Sequence, residues 1–184
     1  MCDYLNVSPE IIKKALNSFK GVKRRFECLG SIKGKNIIAD YCHHPEEIKA
    51  TLSMGKEVFN GDYLVVFQPH TYSRTKLLFD KFLGVLYGEN VVIYSEYSAR
   101  ERYDYLGSAK YLSTQIKNAI YVEDFNDLLD CISSVKSKNI LILGAGNLYD
   151  KIKKYIYENF PKLPIIIPIY RVCLWLVTIN TIKL

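Results

Sequence analysis

Short runs of β-branched and other apolar residues alternate along the chain with segments whose apolar positions recur at helical spacing. The runs NIIADY (36–41), YLVVFQP (63–69), NVVIYSE (90–96), AIYVE (119–123) and NILILGAG (139–146) are brief and nearly unbroken in apolar character. Strands covered on both faces read this way, whereas half-exposed strands alternate. Segments 45–59, 72–87, 108–117, 124–135 and 147–159 predict helices. Pro45 followed by Glu46 and Glu47 suits a first helical turn, and Ser108 and Asn147 stand as caps. A strand–helix alternation of this kind predicts an α/β fold: a doubly wound, mostly parallel sheet with helices on both faces.

An earlier helix is predicted over 8–19, with Ser8 as cap, Pro9 at its first position and an apolar stripe of Ile11, Ile12, Ala15, Leu16 and Phe19. GVKRRFECLGSIKGKN (21–36) then reads as a linker running into a hairpin, which places the first helix in a different domain.

In an open parallel sheet, ligands bind beyond the carboxyl ends of the strands, where helix N-termini present free N–H groups. The turns richest in chemistry all fall on that edge: CHHPEE after the first run, QPHTYSRT after the second, EYSARE after the third and GAGN after the fifth. His43, His44, His70, Arg74, Glu96 and Arg100 are therefore expected to converge, although they are far apart in sequence.

Composition narrows this picture only a little. The 184 residues are 49% hydrophobic and 24% charged, enough for one main core and unlike a disordered chain. Twenty-five Lys and Arg against 19 Asp and Glu leave a net charge of +6, which favours anionic ligands. The basic residues are scattered, without the dense aromatic-interleaved face of a nucleic-acid binder. Five cysteines, Cys2, Cys28, Cys42, Cys131 and Cys173, form no CxxC pair and point to a reduced, cytoplasmic chain. The N-terminus lacks the apolar core of a signal peptide.

Two motifs are weaker than they look. Cys42, His43, His44 and His70 carry zinc-ligating atoms, but adjacent residues leaving a strand point in different directions. A small buried cysteine and a capping or packing histidine are preferred, and no metal site is assigned. GAGNLY lacks the third glycine of a dinucleotide fingerprint, so a close-packing turn is the default, and no GxxxxGK[ST] phosphate loop occurs. His70 and Arg74, four residues apart at a helix start, suit a carboxylate or a phosphate, against the plainer alternative of a polar helix start with Arg74 in a surface ion pair.

Taken in order, GVKRRFE, DYCHHPEEIKATL, VVFQPHTYSRT, EYSARE and LGAGN resemble the C-terminal domain of the Mur ligase family, in its branch that adds L-alanine to UDP-N-acetylmuramate. The resemblance implies a Rossmann-like fold and ATP-dependent amide formation in peptidoglycan synthesis, with ATP and Mg2+ served mainly by a central domain. It divides the chain into 1–20, the last helix of that central domain; 21–159, the C-terminal domain; and 160–184, an apolar tail unlike the family ending. A truncated ligase, inactive alone, is the resulting expectation. Residue by residue, the resemblance gives Arg25 and Asp40 catalytic roles near the hinge and nucleotide. It places Asp40, Tyr41, His43 and His44 on the nucleotide side, and His70 and Arg74 at the amino-acid carboxylate. Ala39 and Thr71 depart from the family's Asp and Arg at their positions. A stand-alone nucleotide- or carboxylate-binding module, or a membrane interaction protein held by the tail, are the alternatives.

Overall fold

The computed structural model describes residues 7–19 and 21–160. Expectations for the apolar tail beyond 160, for Cys2 and Cys173, and for the extreme N-terminus fall outside the described residues. Lys23–Ile165 forms one compact unit, and α1 (Pro9–Ser18) groups outside it. The Ser8 side chain caps α1 by accepting from the Ile11 N–H, with Pro9 following as expected. No residue of α1 is buried, and of its apolar stripe Ile11, Leu16 and Phe19 are exposed.

The larger unit is built on a six-stranded sheet: β1 (Glu27–Ile32), β2 (Lys35–Asp40), β3 (Tyr63–Phe67), β4 (Val91–Tyr94), β5 (Ile120–Val122) and β6 (Asn139–Leu143), in the spatial order β1-β2-β6-β3-β4-β5. β1 pairs antiparallel with β2 through the predicted hairpin, and the other five strands run parallel. The helices are α2 (Pro45–Phe59), α3 (Tyr72–Leu77), α4 (Phe79–Leu86), α5 (Ala109–Gln115), α6 (Phe125–Ser134) and α7 (Leu148–Asn159).

Side-chain alternation along the strands divides them between two helical layers. Ile37, Ala39, Leu64, Val66, Val92, Ile140 and Ile142 pack in one cluster with Leu128 and Ile132 of α6 and Ile152 and Ile156 of α7. On the opposite face Phe67 meets Phe82 of α4 with ring centroids 5.4 Å apart. There Gly55 of α2 lies so close to Leu141 that a Cβ would stand 2.8 Å from its Cδ1. Helices thus cover both faces, and the central runs are uniformly buried as their composition requires.

The edge departs from the expectation: Ile120 of β5 is 52% exposed, because among the described residues β5 is the edge strand. The helix expected over 72–87 is two helices. Leu78, at φ −108° and ψ 20°, separates them, and its N–H donates to the carbonyls of both Arg74 and Lys76. Buried Tyr72, Thr75, Phe82 and Leu86 continue one helical phase across the break, which is why periodicity alone predicts a single helix.

Candidate active site at the strand switch point

β6 lies between β2 and β3, and the chain leaves it towards the helical layer opposite the one it enters after those two neighbours. Such a reversal opens a crevice at the carboxyl ends. The three strands finish level, with Asp40 paired to Leu143 and Leu143 to Phe67. The Gly144 N–H donates to the Asp40 carbonyl at 3.2 Å, and the Gln68 N–H to the Leu143 carbonyl at 2.9 Å. The GAGN turn is a close-packing turn: a Cβ on Gly146 would lie 2.3 Å from Gln68 Oε1 and 2.7 Å from Tyr97 Cβ.

Asp40, at the end of β2, is buried. Its Oδ2 accepts from the Phe26 N–H at 2.9 Å and its Oδ1 from the Cys42 N–H at 3.0 Å, while Arg25 Nη1 stands 3.9 Å away. Burial raises its carboxyl above the ordinary range, and the two N–H groups and the arginine only partly oppose this. Arg24 and Phe26 both adopt left-handed backbone, φ 59° and 45°, so the chain doubles sharply around Arg25. Glu27 holds the same turn by accepting from the Arg24 N–H at 2.7 Å and the Tyr149 hydroxyl at 2.8 Å. The Arg24 guanidinium lies 4.3 Å over the Tyr149 ring and pairs with Asp150 at 2.9 Å. Arg25 is left half-exposed, 5.9 Å from the Tyr41 ring centroid.

The two adjacent histidines do different things. His44 is the N-cap of α2, its Nδ1 accepting from the Glu46 N–H at 3.3 Å; Glu47 reaches back to the N–H groups of His43 and His44. Burial pushes the Glu47 carboxyl up, but those N–H groups and the charges of His43 and Arg25 outweigh it and leave its pKa lowered. His43 turns inward instead, with its ring 5.4 Å from Tyr41 and 6.0 Å from His70. Cys42 is fully buried, and burial drives its thiol far above the usual range, so it offers no thiolate. Among the described residues no group of three His, Cys, Asp or Glu is placed to hold a metal ion.

After β3, Arg74 Nη1 donates to His70 Nδ1 at 3.3 Å, which requires a neutral His70 protonated on Nε2. Burial first, then the charges of Arg74 and His43, hold the His70 pKa below its ordinary value, against the pull of Glu101. Tyr97 stacks on His70 at 5.5 Å. Among the described residues Arg74 has no carboxylate at ion-pair distance, so a surface ion pair does not account for it.

The expected convergence is partial. Arg25, Tyr41, His43, His70 and Arg74 form a continuous ribbon, each within 6.0 Å of the next. Glu96 is absent from it, because its Oε2 accepts from the Ala109 N–H at the start of α5 at 2.9 Å. Arg100 is exposed and makes no side-chain bond among the described residues. Asn147 heads α7 without capping it; its Oδ1 accepts from Gln68 Nε2 at 3.1 Å. Gln68, which sequence reasoning passed over, is 2% exposed and fully bonded, to Ser95, Asn147 and Leu148, and forms the floor of the crevice. Its place directly after a buried strand was the available signal.

A five-strand parallel sheet with one antiparallel edge, its switch point overlain by a ribbon of arginine, histidine and tyrosine side chains, defines a Rossmann-like domain. The chain belongs to the Mur ligase family: residues 24–148 match the Mur ligase, glutamate ligase domain. It is 42% identical over 153 residues to the UDP-N-acetylmuramate–L-alanine ligase of Lachnospira eligens, covering 79% of this chain and 33% of that protein. It is 36% identical over 162 residues to the enzyme of the same name from Caldanaerobacter subterraneus subsp. tengcongensis, covering 84% and 35%. The crystal structure of UDP-N-acetylmuramate-alanine ligase from Thermotoga maritima superposes with a TM-score of 0.65 at 26% identity, covering 85% of this chain and 34% of that one. A bifunctional folylpolyglutamate synthase/dihydrofolate synthase from Yersinia pestis, solved with AMPPNP and Mn ion, shares the fold at 15% identity and a TM-score of 0.57, with 82% and 34% covered. The chain spans about a third of the length of the curated relatives it matches.

Proposed function

We propose that this chain supplies the C-terminal domain's share of a cytoplasmic, ATP-dependent ligase site that joins L-alanine to UDP-N-acetylmuramate. In that reaction the muramate carboxylate takes the terminal phosphoryl group of ATP, giving an acyl phosphate. The alanine amine then attacks the acyl carbon and phosphate leaves. Both steps build negative charge that fixed cations and N–H groups stabilise.

On this reading Arg25 faces the nucleotide side, and Asp40 holds the turn that presents it and meets the ribose. Tyr41 and His43 line the same side, with His44 ordering the helix behind them. His70 and Arg74 clamp the alanine carboxylate. The described residues offer no donor set for Mg2+, so that ion and most of the phosphate contacts are assigned to the remaining two-thirds of a ligase.

The observation that carries the reading is Arg74, a guanidinium held by a neutral imidazole at the switch crevice and, among the described residues, without a carboxylate at ion-pair distance. The test fuses this chain behind the corresponding two-thirds of the Lachnospira eligens relative. There Arg74→Lys raises the KM for L-alanine by about one to two decades, the cost of a charge-assisted hydrogen bond, while the KM for ATP hardly moves. An unchanged alanine dependence with weakened ATP binding would assign Arg74 to the nucleotide instead.

A stand-alone carboxylate-binding module is favoured by the same guanidinium, which faces no carboxylate among the described residues. Titration of the unfused chain with L-alanine or ATP, followed by the Arg74 and His70 NMR signals, separates the two readings: a module responds without a fusion partner.

A further inference from the structure

The loop after β4 grips the segment that carries His70 and Arg74 at two points. At the first, the backbone of Tyr97 takes both sides of His70: its N–H donates to the Pro69 carbonyl and its carbonyl accepts from the Thr71 N–H, each at 2.9 Å. At the second, Glu101 reaches the first turn of α3. Its Oε2 accepts from the Ser73 N–H at 2.9 Å, and its Oε1 from the Ser73 hydroxyl. Hydrogen bonds from the Ser73 hydroxyl and N–H, with smaller ones from Tyr72 and Thr71, keep this carboxyl below its ordinary range, so it is ionised throughout the neutral region.

Two unusual backbone stretches lie beside these grips. Ala99 and Arg100 are consecutive left-handed residues, φ 49° and 76°, immediately before Glu101, and Thr71, a β-branched residue, sits at φ 66° immediately before α3. Such conformations persist only where surrounding contacts over-determine them. α3 is six residues long, too short to hold its own geometry by helix propagation. The direction of Arg74, the residue after Ser73, therefore depends on what anchors Ser73.

We propose that Glu101 is the positioning residue of the His70–Arg74 pair: by fixing Ser73 to the loop after β4 it sets the line along which Arg74 returns to His70 and meets an amino-acid carboxylate. The inference rests on the reading of that pair as a carboxylate clamp. Glu101 does not touch the substrate; it acts through α3. The carboxylate takes a main-chain N–H and a hydroxyl at once, a two-oxygen contact that an amide reproduces only in part.

The experiment uses the same fused ligase. Glu101→Ala raises the KM for L-alanine about tenfold while kcat and the KM for ATP stay within about twofold. Glu101→Gln, which keeps one accepting oxygen, recovers part of the loss. Adding Glu101→Ala to Arg74→Lys gives little beyond Arg74→Lys alone, because both act on one interaction. In the unfused chain, Glu101→Ala moves the His70 titration midpoint down, since a nearby negative charge is lost. An alanine KM that stays put in Glu101→Ala while Arg74→Lys raises it overturns the positioning role alone. Alanine and ATP constants that rise together in Glu101→Ala overturn it as well. Arg74→Lys without effect on alanine removes the clamp reading, and the role of Glu101 with it.

Discussion

Two turns leave the same edge of the sheet and use their polar residues in opposite ways. After β2, Asp40, His44 and Glu47 spend their acceptors on main-chain N–H groups of their own neighbourhood, those of Phe26, Cys42, His43, His44 and Glu46. After β3, the Arg74 guanidinium meets an imidazole and no carboxylate among the described residues, and the nearby Glu101 is bound to Ser73 instead. The first turn is wired for shape and the second keeps a donor in reserve. A motif dense in polar residues is thus no measure of how many of them are left for a ligand, because each buried N–H claims an acceptor first.

The contrast fails first if the floor common to both turns is removed. Gly146→Ala forces a Cβ into the Gln68 amide and the Tyr97 side chain, at sites where the amide already makes its three bonds. A loss of about 3 kcal/mol or more is expected, seen as a melting temperature lower by roughly 10 °C. Full stability in this variant would mean that the crevice floor relaxes easily and is no shared support.

A smaller effect separates the two turns directly. Asp40→Ala leaves the Phe26 and Cys42 N–H groups without their acceptor and should cost about 2 kcal/mol in urea unfolding. Arg74→Lys, whose donor is held in reserve, should change stability by less than about 0.5 kcal/mol. Equal losses from the two substitutions would erase the distinction between a wired and an open turn.

The smallest effect is in pH. The folded-state pKa of His70 lies below its unfolded value of 6.5, so the unfolded chain binds this proton first as pH falls. The associated stability is fully present above 6.5 and is lost as pH drops through the window between 6.5 and the folded value. Arg74, His43 and Glu101 are the charged groups that act on the ring. Since His70 is partly exposed, the change is about 0.5 kcal/mol or less after solvent screening. The urea midpoint of the parent chain should fall in that window relative to that of His70→Gln, and parallel pH profiles would show that His70 carries no such linkage.

What the sequence discloses and what it hides follow from how local each cause is. The buried strands were legible because covering on both faces demands unbroken apolar runs, as in β3, β4, Ile37–Ala39 of β2 and Ile140–Leu143 of β6. Ser8 and Ser108 were legible as caps because a cap bond spans three residues. Asn147 was misread and Glu96 misplaced because their partners, Gln68 and the start of α5, are brought to them only by the sheet order. The meeting of His43, His70 and Arg74 was foreseen by the rule for carboxyl edges, whereas the extension of that group through Tyr41 to Arg25 was not, and the left-handed backbone at Arg24, Phe26, Thr71, Ala99 and Arg100 has no signature in those residue types.

The order β2-β6-β3 also sets when the chain can fold. β2 and β3 never touch; each pairs with β6, whose residues lie roughly 70 to 100 positions further along. On a ribosome, everything up to α6 emerges before the strand that joins the two halves, so the larger unit stays open in the middle until residues 139–143 are clear of the exit tunnel. Closure then requires contacts of long sequence separation, which slows folding and leaves the apolar rims of β2 and β3 exposed to other chains in the interval. Faster refolding of a circular permutant that places β6 ahead of β3 is the expected kinetic signature of that topology, read in stopped-flow refolding.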